Sequence, residues 1–128
     1  MVVSEDQVNR VRERLEKQLE DTRTDIQEID EQVRAFGADH EAAEGVDNHL
    51  GDDSDIVYEQ ERLLTVREEL TGRRQRIEHA LKKMDKGDWG ICENCGKAIN
   101  PERLDALPFV TLCITCQEQQ DRRGDGRR

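Results

Sequence analysis

The chain has 128 residues, of which only 3% are aromatic and 39% are charged. So few large apolar side chains argue against a large globular core, because burial must offset the chain entropy that folding removes. The 30 acids outnumber the 20 Lys and Arg residues and give a net charge of -10, which argues against a protein that coats nucleic acid by neutralising phosphates.

The sequence predicts a soluble, cytoplasmic protein. It has no apolar run that approaches the roughly 20 residues of a membrane-spanning helix. Residues 1–7 also lack the basic segment followed by an apolar stretch that is typical of a secretory signal.

The first predicted element is a long helix that begins at a capping box. In Ser4-Glu5-Asp6-Gln7, the Ser4 hydroxyl can accept from the Gln7 backbone N–H while the Gln7 side chain returns to Ser4. Apolar residues then recur at steps of three and four, which predicts one narrow apolar seam. The seam consists of Val8, Val11, Leu15, Leu19, Thr22, Ile26, Ile29, Val33 and Phe36. Gly37 is predicted to end this helix.

A second seam predicts another helix of similar length. It consists of Ile56, Leu63, Val66, Leu70, Ile77, Leu81 and Met84. Lysines precede Gly87, at the end of the helix where the dipole favours cations. Two matched helices predict a mainly α protein with a long antiparallel helical hairpin, or coiled coil, over residues 4–86.

Negative charge is concentrated between these helices, in a tip loop predicted over residues 37–54. The chain has no Lys or Arg from Ala35 to Glu61. Nine acids lie in this stretch: Asp39, Glu41, Glu44, Asp47, Asp52, Asp53, Asp55, Glu59 and Glu61. Such acids usually form only a solvated loop. Their position at the end of a long arm favours a function for them.

The four cysteines form two C-x-x-C pairs, Cys92 with Cys95 and Cys113 with Cys116. This spacing allows four thiolates to surround one ion. Four cysteine ligands occupy every coordination position of a tetrahedral zinc ion, which predicts a structural site, because a catalytic zinc needs an open position. Gly96 permits a turn directly after the first pair. A rubredoxin-like iron site and a redox dithiol pair are the alternatives.

The predicted zinc ribbon covers residues 87–120 and offers too few apolar side chains to fold without its metal. A short helix is predicted to follow the last cysteine. Residues 121–128 are predicted to form a flexible, Arg-rich tail.

The residues around the cysteines resemble the C4 zinc finger of the DksA/TraR family. The resemblance is carried by Gly87-Asp88-Trp89-Gly90-Ile91-Cys92-Glu93-Asn94-Cys95-Gly96-Lys97-Ala98-Ile99, by Arg103-Leu104-Asp105-Ala106-Leu107-Pro108 and by Leu112-Cys113-Ile114-Thr115-Cys116-Gln117. It implies a bacterial transcription regulator that binds RNA polymerase instead of promoter DNA. Its arm would enter the secondary channel, and acids at the tip would approach the active-site magnesium.

The resemblance also points to particular tip residues. The family's tip motif falls on His49, Asp52 and Ser54, so Asp52 keeps one of the family's acids, and Asp53 and Asp55 are close enough to substitute for it. The segment from Asp47 to Asp52 is more similar to the DNHPAD-type variant of Gram-positive relatives. We therefore expect a tip that consists of His49, Asp52, Asp53 and Asp55.

Three further positions concern the effector ppGpp and the polymerase. Leu107 and Gln117 stand where family members carry bases that help hold ppGpp, which leaves a response to ppGpp doubtful. Arg76 keeps a basic residue on the arm and is a candidate contact for the polymerase or an effector.

Other functions have weaker support in the sequence. A zinc-ribbon adaptor that binds another protein through its helical hairpin is the main alternative. Lys97 and Arg103 are the only bases between Cys92 and Cys116, which argues against a DNA-binding finger. No nucleophile and base fall into an arrangement that predicts an enzyme.

Overall fold

The computed structural model describes the backbone of residues 3–43 and 50–126, and the side chains of residues 3–37 and 54–124. Helices α1 (Glu5–Ala43) and α2 (Leu50–Lys86) form the long antiparallel hairpin, and α3 (Pro101–Ala106) and α4 (Ile114–Gly126) follow it. Within the described ranges, β-pairing is limited to one antiparallel bridge between Ile91 and Ala98. The predicted mainly α fold is confirmed. In the part of the chain that is described, no helix has the length and apolarity needed to cross a membrane.

Helix α1 begins as predicted, but only half of the capping box forms. The Gln7 backbone N–H donates to Ser4 Oγ at 3.1 Å, as expected for an N-cap. The Gln7 side chain instead donates to the backbone O of Pro101 at 2.8 Å and to Asp105 Oδ1 at 3.1 Å. Gln7 is only 6% exposed, so its buried amide is satisfied by α3 and not by its own helix.

Both predicted seams are packing faces. Every one of their residues is buried or half-buried. The buried ones are Val11, Leu15, Thr22 and Ile26 in α1, and Leu63, Ile77 and Met84 in α2. Thr22 is the polar residue of this seam, and its hydroxyl is hydrogen-bonded, because Oγ1 donates to the backbone O of Gln18 at 2.7 Å.

The chain divides into two compact units. The finger unit comprises Met1–Lys17 and Arg76–Arg128, and the arm unit comprises Gln18–Gln75. This division differs from the predicted boundary between a hairpin at 4–86 and a zinc ribbon at 87–120, which stays a prediction. The first residues of α1 and the last residues of α2 pack with the cysteine-containing segment, through contacts described below, and belong to the same unit.

The predicted tip loop is also too long. Helix α1 continues past Gly37 to Ala43, and α2 begins at Leu50, so the loop predicted over 37–54 is helical at both ends. Gly37 does not have the positive φ of a helix C-cap. The alanines and acids around it are better helix formers, and they offset the cost of about 1 kcal/mol for one helical Gly. Residues 44–49 lie outside the described residues.

The predicted flexible tail is helical over its first part, because α4 extends to Gly126. Pairs one turn apart support this extension. Gln117 Nε2 donates to Asp121 Oδ1 at 3.1 Å, and Arg122 Nη2 lies 3.9 Å from Glu118 Oε2.

Candidate metal centre

The sulfur atoms of Cys92, Cys95, Cys113 and Cys116 converge in the finger unit. They all lie within 4.8 Å of one another, and Sγ of Cys95 is 3.8 Å from Sγ of Cys113. Zn–S bonds of about 2.3 Å at tetrahedral angles place sulfurs about 3.8 Å apart. Among the described residues, no other group of three or more ligating side chains is brought together. The arrangement fits one zinc ion.

Backbone hydrogen bonds shape the loop that holds the first cysteine pair. The Cys95 N–H points at Cys92 Sγ at 3.5 Å, and the Gly96 N–H donates to the backbone O of Cys92 at 3.0 Å. Gly96 has φ of 77°, a left-handed conformation that glycine adopts without steric cost. The Cys92 N–H closes the loop by donating to the O of Lys97 at 2.8 Å. The predicted role of Gly96 as a turn residue is confirmed.

The second pair is held at the start of α4. The Gln117 N–H donates to the backbone O of Cys113 at 2.9 Å, so Cys113 precedes the helix and Cys116 lies in its first turn. The positive end of the helix dipole favours thiolates at this place.

A side chain of the first loop holds a sulfur of the second pair. Asn94 Nδ2 donates to Cys116 Sγ at 3.3 Å. Asn94 was not predicted as a site residue, since its position between two cysteines does not show which sulfur its amide contacts. Hydrogen bonds of this kind orient and tune metal ligands.

The thiols differ in acidity. Burial raises the pKa of Cys92, but hydrogen bonds from backbone N–H groups, first that of Cys95, outweigh burial and lower this pKa to about 6. The amide of Asn94 lowers the pKa of Cys116, but the adjacent thiols, first that of Cys113, and burial outweigh it and raise this pKa to about 11. Four thiolates this close repel one another, so a shared divalent cation favours their joint ionisation.

Polar contacts around Asp105 hold α3 against α1. Arg10 Nη2 lies 3.1 and 3.2 Å from the two Asp105 carboxylate oxygens, and Arg14 Nη2 donates to the Asp105 backbone O at 2.7 Å. The Gln7 amide reaches the same carboxylate. Asn100 caps the start of α3, because its Oδ1 accepts from the Glu102 N–H at 2.8 Å.

The apolar part of the same junction depends on a close approach to the backbone. Gly90 has φ of 91°, and a Cβ at this position would lie 2.7 Å from Val3 Cγ2 and 3.1 Å from Leu104 Cδ1. Val3 and Leu104 are both buried. Trp89, the residue before Gly90, is also buried, and its indole N–H donates to the backbone O of Pro108 at 3.1 Å.

Helix α2 is tied to the first cysteine loop through Glu93. Lys83 Nζ and His79 Nε2 lie 3.0 and 2.8 Å from Glu93 Oε2. The hydrogen bonds of His79 and then of Lys83 lower the pKa of Glu93. The Lys83 side chain is only 11% exposed. The finger unit is therefore one packed body that includes the ends of both long helices.

The predicted tip residues do not belong to this centre. His49 lies outside the described residues, as do the side chains of Asp52 and Asp53, whose backbone is in α2. Asp55 is exposed in the arm unit. Arg76 is exposed in the finger unit.

Residues 87–122 match the family model of the prokaryotic DksA/TraR C4-type zinc finger. This segment is a C4-type zinc finger of the DksA/TraR kind. The predicted zinc cofactor is confirmed, and the four cysteines are the residues that would hold it. When bound, a zinc ion with four cysteine ligands has no open position for water or substrate, so its contribution is structural.

Similarity to other proteins of this kind extends beyond the finger. General stress protein 16O of Bacillus subtilis is 30% identical over 103 residues, which is 80% of this chain and 60% of that protein. The RNA polymerase-binding transcription factor DksA of Escherichia coli K12 is 46% identical over 43 residues, which is 34% of this chain and 28% of that protein. The chain thus spans 60% or less of the length of these relatives.

A solved structure shares the fold of this chain. Transcription factor DksA2 from Pseudomonas aeruginosa superimposes with a TM-score of 0.79, and the match covers 95% of this chain and 88% of that one at 24% identity. The hairpin and the finger together therefore have a known fold.

Proposed function

We propose that this protein regulates transcription by binding RNA polymerase and has no catalytic activity of its own. The observation that carries the proposal is a DksA/TraR finger within a chain that shares its fold, over 95% of its length, with a transcription factor. The DksA protein of Escherichia coli, which is similar to this chain over 43 residues, is named an RNA polymerase-binding transcription factor. The contact is made between proteins, since the finger has few bases for DNA.

The hairpin is the part that would enter the polymerase, through the secondary channel, and its tip acids would act near the active-site magnesium. The stretch from Ala35 to Glu61 has no positive side chain. Helix α2 begins at Leu50, so Asp52, Asp53 and Asp55 are carried by its first turns, which support them more rigidly than a loop. Mg²⁺ prefers oxygen ligands, so a nearby carboxylate alters its hydration.

The finger has a structural role in this proposal. It fixes the start of α1 and the end of α2, through Asp105 and Glu93. Arg76 is exposed in the finger unit and is proposed as a contact for the polymerase or an effector. Leu107 and Gln117 are uncharged, so neither offers a positive charge to a ppGpp phosphate.

The test measures binding to RNA polymerase separately from the effect on transcription. Asp52→Asn, Asp53→Asn and Asp55→Asn, combined in one chain, should abolish the effect on in vitro transcription while the affinity for purified polymerase stays within about twofold, because Asp→Asn removes the charge and keeps the size of the side chain. Asp21→Asn, which changes an exposed acid of α1, is the matched control and should leave both unchanged.

Two outcomes would contradict the proposal in different ways. Unchanged transcription with all three acids neutralised would reduce them to a solvated tip. A wild-type protein that does not bind polymerase would favour the zinc-ribbon adaptor.

A further inference from the structure

Lys83, near the end of α2, carries its charge on a buried side chain. The side chain is only 11% exposed, and among the described residues Lys83 is the one buried residue with a charge. Lysine is almost never buried unless its ammonium is paired, because removing a charge from water costs free energy. The surroundings of Lys83 must therefore stabilise this charge.

The ammonium of Lys83 contacts the chain on both sides of Cys92. Its Nζ donates to the backbone O of Ile91 at 3.4 Å and to Glu93 Oε2 at 3.0 Å. Ile91 directly precedes the cysteine, and Glu93 directly follows it. Lys83 and Cys92 also line the same cleft, of about 240 Å³. The positive charge is thus held in the immediate surroundings of a buried sulfur ligand.

The ion pair with Glu93 does not by itself account for the buried charge. The Glu93 side chain is 43% exposed, and ion pairs that face water contribute little to stability. Lys83 also shares its acceptor, because His79 Nε2 lies 2.8 Å from the same oxygen, Oε2. A further source of negative charge is needed to offset the burial of Lys83.

The four cysteines supply this negative charge once zinc is bound, because four thiolates outweigh the two positive charges of the ion. The N–H groups that point at Cys92 and Cys116 carry partial charges only. We infer that Lys83 is the countercharge of the metal centre: its ammonium stabilises the zinc-bound thiolate of Cys92, and Glu93 holds the ammonium in place. The inference concerns the metal centre and does not depend on the proposed function.

The alternative is that these contacts only fasten the first cysteine loop to α2. A fastening requires both partners, so the loss of Lys83 or of the Glu93 charge would weaken zinc binding alike. A countercharge predicts different results for the two residues. Removing the charge of Lys83 takes away an attraction to the thiolates, whereas removing the charge of Glu93 takes away a repulsion.

Competition with a chelator for zinc, in the full chain, tests the inference. Lys83→Met keeps the apolar stem and should lower zinc affinity about 10- to 100-fold, the usual loss when a residue that supports a metal ligand is replaced. Glu93→Gln keeps an acceptor for Lys83 and should leave affinity within about threefold or raise it. Lys82→Met is the matched control: Lys82 lines the same cleft but is exposed, and its loss should change affinity less than about twofold.

Cobalt bound in place of zinc gives a readout other than affinity. The sulfur-to-cobalt charge-transfer band reports the energy of the thiolate electrons, which a nearby positive charge lowers. The band should therefore move to lower energy in Lys83→Met and stay in place in Lys82→Met. An unmoved band in cobalt-loaded Lys83→Met would overturn the countercharge.

The zinc affinities can overturn the inference in two further ways. Unchanged affinity in Lys83→Met would show that its charge does not act on the metal centre. An equal loss in Lys83→Met and Glu93→Gln would leave only a fastening of the loop. If Lys83→Met does not fold, Glu93→Gln decides alone, and a loss of about tenfold in that variant would contradict the countercharge.

Discussion

The side-chain amide of Gln7, at the start of α1, donates to the carboxylate of Asp105, at the end of α3, across 98 residues of sequence. The same amide donates to the O of Pro101. One buried side chain thus joins the start of the hairpin to the finger. The stability of the finger unit should therefore depend on Gln7, a residue that is not part of either apolar seam.

Replacing Gln7 by Ala should lower the free energy of unfolding of the finger unit by about 1–3 kcal/mol, the cost of leaving buried polar partners unsatisfied. Thermal unfolding followed by the fluorescence of Trp89, the single tryptophan, measures it. Gln27→Ala is the control, because Gln27 is exposed on α1 in the arm unit and its loss should change stability little. Equal stability of the two variants would show that the amide contributes nothing.

Gly90→Ala should destabilise the protein for two separable reasons. A Cβ at a left-handed φ costs about 1–2 kcal/mol, and this Cβ would also displace Val3. Val3→Ala in the same chain should recover part of the steric cost but not the backbone cost, as measured by denaturant unfolding. Gly37→Ala is the control and should be stabilising by about 0.5–1 kcal/mol, since Gly37 is helical and a Cβ there meets nothing within 4 Å. A destabilised Gly37→Ala would contradict the helical assignment there.

Loss of zinc should unfold more than the finger itself. Because the ends of α1 and α2 belong to the finger unit, Cys113→Ser or a chelator should expose amides up to Lys17 and from Arg76 onward. Hydrogen exchange measured residue by residue tests this, with the amides around Ile26 and Leu63 in the arm unit as the internal control. Fast exchange confined to residues 87–120 would instead support the boundary that the sequence predicts.

Metal analysis of protein purified without added zinc should find one zinc per chain. Affinity should fall as the pH is lowered, because binding requires thiolates and protons compete for them. The sign is set most strongly by Cys116, whose pKa of about 11 means that its proton must be displaced at neutral pH, while Cys92, with a pKa of about 6, becomes protonated only below this value. Iron in place of zinc, or affinity independent of pH, would contradict the structural zinc centre.

The sequence predicted best what depends on local period and spacing. The seam from Val8 to Phe36 is inward-facing throughout, and the paired cysteines converge, because helical repeat and C-x-x-C spacing fix these features within a few residues. The sequence predicted poorly those features that depend on a partner far away in the chain, or on the sum of many weak helix propensities. Gly37 was predicted to end α1, and the Gln7 and Asn94 contacts were missed, since no short pattern shows which amide meets which distant acceptor.

The division of the chain also has a consequence for the order of folding during synthesis. The arm unit is a single continuous segment, Gln18–Gln75, whose contacts are all available once α2 has left the ribosome. The finger unit joins the first residues of the chain to its last two fifths, so the start of α1 waits for Leu104, Asp105 and the second cysteine pair to be made. In newly synthesised chains the finger unit is therefore incomplete, and Gln7 and Val3 lack their partners, until the final cysteines emerge and bind their metal.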